Sequence, residues 1–202
     1  MKLYYSPGAC SLAAHIVLRE AGHDFELERV DIPNKKTESG ADFWAINPKG
    51  SVPALKLDDG DVLTEVAVVL QYISDQNQAA NLAPKFGSPE RYHLLEWLNF
   101  IATEVHKQIG ALFNPKMTPE MKEVQRGVIE RRMNALENML EGKNYLMGDD
   151  FSIADAYLFT IMRWTQKLNI DLAKWPRVGG LCARVGERTA VIEAMTVEGL
   201  VK

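Results

Sequence analysis

The sequence predicts a mixed α/β domain followed by an all-helical one. Three observations carry this. The first eighty residues alternate short strand-like and helix-like segments. A stretch rich in Ala, Pro, Gly and Ser, "AANLAPKFGS" over 79–88, breaks the pattern. Beyond it, every clear boundary signal opens a helix. The expected domains are therefore residues 1–78, a linker over 79–88, and a helical domain over 89–202.

The elements follow in order. "KLYY" is a short strand. "CSLAAHIVLREA" is helical, with Leu12, Ile16 and Leu18 on a partly apolar face and Gly22 as its stop. "FELERVDI" alternates as a strand whose phase slips by one residue. "DFWAIN" is a short helix or turn before Pro48. "PALKLDDGDVLTE" holds two strands around an Asp-Gly turn, a hairpin signal. "EVAVVLQYISDQ" is a helix by its length and polar tail, despite its β-branched residues. The first-domain order is thus β-α-β-α-β-β-α. In the second domain, Ser88-Pro89 and Thr118-Pro119 each pair a capping hydroxyl with proline in the first turn. Ser152 and Asp155 form a capping box, with Asp in place of Glu, ahead of "AYLFTIM". "GLCARVGERTAVIEAM" reads as one amphipathic helix with Cys182 buried.

Composition narrows the function. Of 202 residues, 47% are apolar and 25% charged, and the net charge is −4, so nothing resembles a nucleic-acid-binding stripe. Pro7, His15, Arg19 and Glu20 interrupt the N-terminal apolar residues, and no run approaches the ~18 of a membrane span. Two distant cysteines, Cys10 and Cys182, make no disulfide framework. A cytoplasmic protein is expected, with no nucleic-acid or membrane partner.

Three features of the first domain carry chemistry. Cys10 falls where the first helix begins, and the partial positive charge and open N–H groups of a helix start would lower its pKa. The alternative is an inert packing cysteine. Positions 10 to 13 read Cys-Ser-Leu-Ala, so the second thiol of a C-x-x-C redox motif is missing. Such a site could bind a small thiol or form a mixed disulfide with it, but could not close its own. Val52-Pro53 precedes a strand that should be central, where proline lacks the ladder N–H. A cis bond there would leave the Val52 N–H and C=O for an extended ligand; a plain edge turn is the other reading. Thr64-Glu65-Val66 opens a helix directly after a strand. Its N–H groups could hold a carboxylate and Glu65 an ammonium, or Thr64 could simply cap the helix.

The second domain offers Asn99, Thr103 and His106 at i, i+4 and i+7, one polar line beside Leu95, Leu98, Ile101, Ala102 and Val105. This is either a solvated face or a cleft wall. His106 could act as a base or a hydrogen-bond donor. His15, His23 and His93 show no ligand spacing with each other or with Cys10, so no metal is expected.

Together "YYSPGACSLAAHI", "NPKGSVPAL", "LTEVAVVLQYI" and "FSIADAYLF" resemble the cytosolic glutathione S-transferases, and within them the bacterial beta class. The likeness spans the whole chain. It implies a thioredoxin-like N-terminal domain, an all-α C-terminal domain, glutathione as co-substrate and a homodimer. By resemblance Cys10 faces the glutathione sulfur. Val52, beside a cis Pro53, pairs with the cysteinyl backbone. Glu65 and the Val66 N–H hold the γ-glutamyl end, and Lys35 approaches the glycine carboxylate. Val66 stands where many members have Ser, which removes a hydroxyl contact. His106 and Lys107 border the glutathione site with Asn99 and Thr103 nearby, and Trp164 borders the site of the hydrophobic co-substrate. Ser152 and Asp155 are structural. The implied reaction is conjugation of glutathione to an electrophile, a detoxification activity. The rivals are a Cys10-based disulfide oxidoreductase, peroxidase or reductive dehalogenase, and a non-catalytic carrier of hydrophobic ligands.

Overall fold

The computed structural model describes residues 1–201. They form two compact units. The first comprises Met1–Ala83 and the chain from Glu187 onward, and the second comprises Pro84–Gly186. The change of unit falls inside the segment read as a linker. The tail from Glu187, which the sequence reading places in the helical domain, groups instead with the first unit.

In the first unit, β1 (Lys2–Tyr5) lies between β2 (Glu26–Asp31), which is parallel to it, and β4 (Ala54–Lys56), which is antiparallel. The five-stranded sheet has the order β3-β2-β1-β4-β5, with β3 at Lys36–Thr37 and β5 at Val62–Thr64. β3 is two residues long and escaped the sequence reading, because two residues carry no period. The pleat sends Tyr4, Val30 and Ala54 into one core with Phe43 of α2 (Phe43–Ile46) and Val52. Leu3 and Leu55 alternate with them and are fully buried.

Helix α1 (Leu12–Glu20) packs against α3 (Val66–Gln76) and against α10 (Thr189–Val197). Gly22, at φ +66°, ends α1 in a Schellman motif: its N–H bonds Arg19 O and the His23 N–H bonds Leu18 O. The tail is fastened by Glu198, which pairs with buried His15 at 2.9 Å and accepts from the Gly8 N–H at 2.9 Å. Arg188 holds Glu20 through two further bonds.

In the second unit, α4 (Pro89–Phe100) runs through a π-helical turn (Ile101–His106) into α5 (Lys107–Ala111). Around it lie α6 (Pro119–Met139), α7 (Ile153–Met162), α8 (Trp164–Lys167) and α9 (Pro176–Gly186). The caps at Ser88 and Thr118 form as expected: Ser88 Oγ accepts from the Arg91 N–H at 3.2 Å and Thr118 Oγ1 from the Met121 N–H at 3.3 Å. Every residue of α7 is buried. The segment read as a single amphipathic helix is two, α9 and α10, parted at Glu187-Arg188. Cys182 is partly exposed as a residue, while its thiol is enclosed. No helix among the described residues is long and apolar enough to cross a membrane.

Candidate functional site

The candidate site of the first unit gathers around Cys10. The helix proper starts at Leu12, with Ser11 as its N-cap, so Cys10 sits in the turn just before it. The Leu12 N–H bonds Ala9 O at 3.1 Å and the Ala13 N–H bonds Cys10 O at 3.2 Å, which draws this turn onto the helix. Ser11 Oγ accepts from the Ser6 N–H at 3.2 Å and closes the loop. The Cys10 thiol donates to Val52 O at 3.1 Å. Burial pushes that thiol up to about 12, against the Cys10 and Ser11 backbone N–H groups that favour the thiolate, and the Glu65 charge adds to the rise. The expectation of an acidic thiol is therefore corrected. A helix terminus contributes a fraction of a pKa unit to about one, whereas burial contributes several.

The Val52–Pro53 peptide is cis. Ala54 pairs with Thr64 across β4 and β5, so Pro53 and Glu65 extend from one register position. Glu65 has φ +69°, a left-handed backbone that a glutamate rarely adopts. It is the N-cap residue of α3, with Val66 as the first helical residue. Thr64 is thus not the cap: it lies in β5, and its hydroxyl accepts from Lys49 Nζ at 2.9 Å. Lys49 also meets Glu65 Oε1 at 2.7 Å. The sequence reading missed Lys49, although it stands in the quoted "NPKG", because nothing local shows that a strand pair returns Glu65 to it.

Lys35, also at positive φ (+52°), sends its ammonium to Gly50 O and over the Trp44 ring, 5.3 Å from the centroid. Gly50 has φ +63°, and a Cβ there would lie 2.5 Å from Trp44. Lys35, Trp44 and Gly50 thus brace the loop that leads to Val52. Trp44 itself is exposed.

In the second unit the polar line divides. Asn99 and Thr103 are exposed and line an 810 Å³ cleft with Trp97, Phe100, Met139 and Lys143. The Thr103 hydroxyl donates to Asn99 O at 3.1 Å. His106 leaves the line: its Nδ1 is 2.7 Å from the hydroxyl of buried Tyr157, and its ring meets Trp164 at 5.1 Å. The cause is the π turn, whose wider pitch breaks the 3.6-residue spacing that had aligned the three. Lys107 is exposed at the start of α5. Trp164 is half-buried and also contacts Phe113, at 5.6 Å.

Ser152 and Asp155 meet at the start of α7. Asp155 accepts from the Ser152 N–H, the Ser152 hydroxyl and the Leu146 N–H, each at 2.8 Å. Burial pushes its carboxyl up to about 6, partly offset by those donors.

Two family models match this chain: the glutathione S-transferase N-terminal domain over residues 8–76 and the C-terminal domain over 100–188. Glutathione S-transferase GstA of Escherichia coli O157:H7 is 44% identical, over 99% of this chain and all of its own. A sphingomonad glutathione S-transferase solved in complex with glutathione superposes with a TM-score of 0.96 at 45% identity, covering all of both chains. The bacterial beta-class glutathione S-transferase of Sphingomonas chungbukensis gives 0.96 at 44% identity, again over all of both chains. The chain belongs to the glutathione S-transferase family, and bacterial beta-class enzymes are among its structural neighbours.

Proposed function

We propose that this chain conjugates reduced glutathione to small hydrophobic electrophiles. The observation that carries the reading is the grouping in the first unit of Cys10 Sγ, the Val52 carbonyl beside cis Pro53, and Glu65 at the head of α3. These groups fit the tripeptide from one end to the other. Val52 pairs with the cysteinyl backbone, which brings the ligand sulfur beside Cys10. Glu65 takes the γ-glutamyl ammonium, exchanging its Lys49 partner for it, and the Val66 N–H takes the α-carboxylate. Lys35 takes the glycine carboxylate.

The protonated state of Cys10 favours conjugation over a redox cycle through Cys10. A thiol held at about 12 is a hydrogen-bond donor rather than a nucleophile at neutral pH. In the reaction the glutathione thiol loses its proton to solvent. Its thiolate accepts from the Cys10 S–H, which turns from Val52 O, and attacks the electrophilic carbon. A carbon–sulfur bond forms, and the leaving group departs with the electron pair of the bond that breaks. Orientation and thiolate stabilisation are the catalytic terms.

From the second unit, His106 and Lys107 keep the glutathione role, Asn99 and Thr103 a supporting one, and Trp164 the co-substrate role. The working form in this reading is a cytoplasmic homodimer. Exposed Trp44 and Val68 in one unit and Phe86 and Tyr92 in the other support the self-association.

The test is calorimetric titration with glutathione together with turnover of a halogenated dinitrobenzene. Saturable heat and release of halide are expected. Absence of both would overturn the reading. Turnover that vanishes in Cys10→Ala while glutathione affinity is kept would replace it with the Cys10-centred one.

A further inference from the structure

We propose that Tyr157 is a positioning residue that sets the tautomer of His106, so that His106 serves as a neutral hydrogen-bond donor through Nε2 rather than as a general base. The inference deepens the conjugation reading and rests on it.

His106 is constrained on three sides. It closes the π turn Ile101–His106, so its backbone does not continue the register of α4. Its ring stands edge-on to Tyr157, with centroids 5.7 Å apart at 84°, and 5.1 Å from Trp164. Its Nδ1 lies 2.7 Å from the Tyr157 hydroxyl. That hydroxyl comes from α7, which is buried along its whole length and whose start is locked by Asp155, so Tyr157 presents a fixed reference point.

The direction of the bond follows from acidity. A phenol near 10 is the better acid, and a neutral imidazole, protonating near 6.5, is the better base. The phenol therefore donates and Nδ1 accepts. A neutral imidazole carries one proton, and with Nδ1 accepting it sits on Nε2. Chemistry at His106 then runs through an N–H donor. Its task is to stabilise the glutathione thiolate, with the thiol proton leaving to solvent, and no proton transfer to His106 is required. A side chain used this way gains from rigid aim, which the π turn and the two aromatic rings supply.

The test combines a spectroscopic and a kinetic measurement on the full chain. In protein labelled with ¹⁵N-histidine, His106 should show the Nε2-protonated tautomer, and Tyr157→Phe should convert it to a mixture. Tyr157→Phe should lower kcat for the halogenated dinitrobenzene by the fraction of His106 that loses its Nε2 proton, about twofold for an even mixture, with KM for glutathione unchanged. His106→Gln places an amide N–H near the Nε2 position. It should keep most of kcat and should be insensitive to adding Tyr157→Phe, whereas His106→Ala should lose it. A proton on Nδ1 in the wild-type chain would overturn the proposal even if Tyr157→Phe failed to fold. Wild-type kcat in Tyr157→Phe with a low kcat in His106→Ala would overturn the positioning role alone. Wild-type kcat in His106→Ala would remove His106 from the reaction and leave the conjugation reading standing. A wild-type chain with no turnover would overturn that reading and this inference with it.

Discussion

Replacing Asp155 with alanine tests how the helical unit is held. From a capping box alone the loss would be ~0.5–2 kcal/mol. The structure raises that figure. Asp155 is fully buried, and its carboxylate answers three donors: the Ser152 N–H, the Ser152 hydroxyl and the Leu146 N–H, each at 2.8 Å. The last belongs to the loop before α7, so the carboxylate ties that loop to the helix as well as capping it. An orphaned buried donor costs roughly 1–3 kcal/mol, and relaxation of the Ser152 hydroxyl recovers part, leaving ~3–5 kcal/mol for Asp155→Ala. Ser152→Ala removes one of the three donors and leaves the carboxylate two N–H partners, so it should cost about 1 kcal/mol. The pH dependence has a definite sign. Because burial pushes the folded carboxyl up to about 6, above its unfolded value, the native state binds the proton more tightly. The stability this group supplies is greatest below about pH 4 and declines as pH rises through 6, by up to about 3 kcal/mol. Urea unfolding of wild type and both variants at pH 4.5 and 7 decides the matter, with equal m-values required. A gap for Asp155→Ala below about 1 kcal/mol at both values, or one no larger than that of Ser152→Ala, would refute the three-donor account. A gap that widens from pH 4.5 to 7 would refute the pH sign.

Three other predictions concern side chains of both units. Cys10 and Cys182, each pushed up to about 12 by burial, should react with iodoacetamide at pH 8 at less than about a hundredth of the free-cysteine rate; labelling of native Cys10 at the free-thiol rate would contradict this. Glu65→Ala should weaken glutathione binding by about 10- to 100-fold, the range for losing a charged partner, while Lys49→Met should tighten it by up to about 5-fold because an exposed ion pair no longer has to open. Calorimetry showing wild-type affinity in Glu65→Ala, or a more than tenfold loss in Lys49→Met, would reverse those assignments. Glu198→Ala should cost ~1–3 kcal/mol, since it removes the acceptor facing the buried Nδ1 of His15; an unmoved unfolding midpoint would show that the tail is not fastened there.

What could be read from the sequence was local. The Asp-Gly hairpin, the proline-led helix starts at Ser88 and Thr118 and the Ser152–Asp155 box are each specified within a few residues, and each is where the spacing put it. What could not be read needed the third dimension or a change of period. The π turn has no composition signature, so Asn99, Thr103 and His106 were laid on one line that the real pitch divides. The break between α9 and α10 lies at Glu187-Arg188, directly after Gly186, and a single helical glycine does not by itself mark a change of unit. Lys49 and Tyr157 lie 16 and 51 residues from the groups they hold, beyond any helical or strand period.

Cys10 shows the same contest within one residue, and its outcome bears on mechanism. Its position before a helix favours a thiolate through the N–H groups there: those of Cys10 and Ser11 stabilise the charged form. They lose on magnitude. A helix terminus is worth ~0.3–1 kcal/mol, under one pKa unit, while burying an anion shifts it by up to 3–5 units. The thiol keeps its proton and gives it in a hydrogen bond to Val52 O. A protein that meant to attack with Cys10 would need an opposing cation, and the charge nearest in effect is the Glu65 carboxylate, which raises the thiol further. In the proposed conjugation the nucleophile is therefore the sulfur of the incoming tripeptide, and the protonated Cys10 thiol is a donor available to steady it.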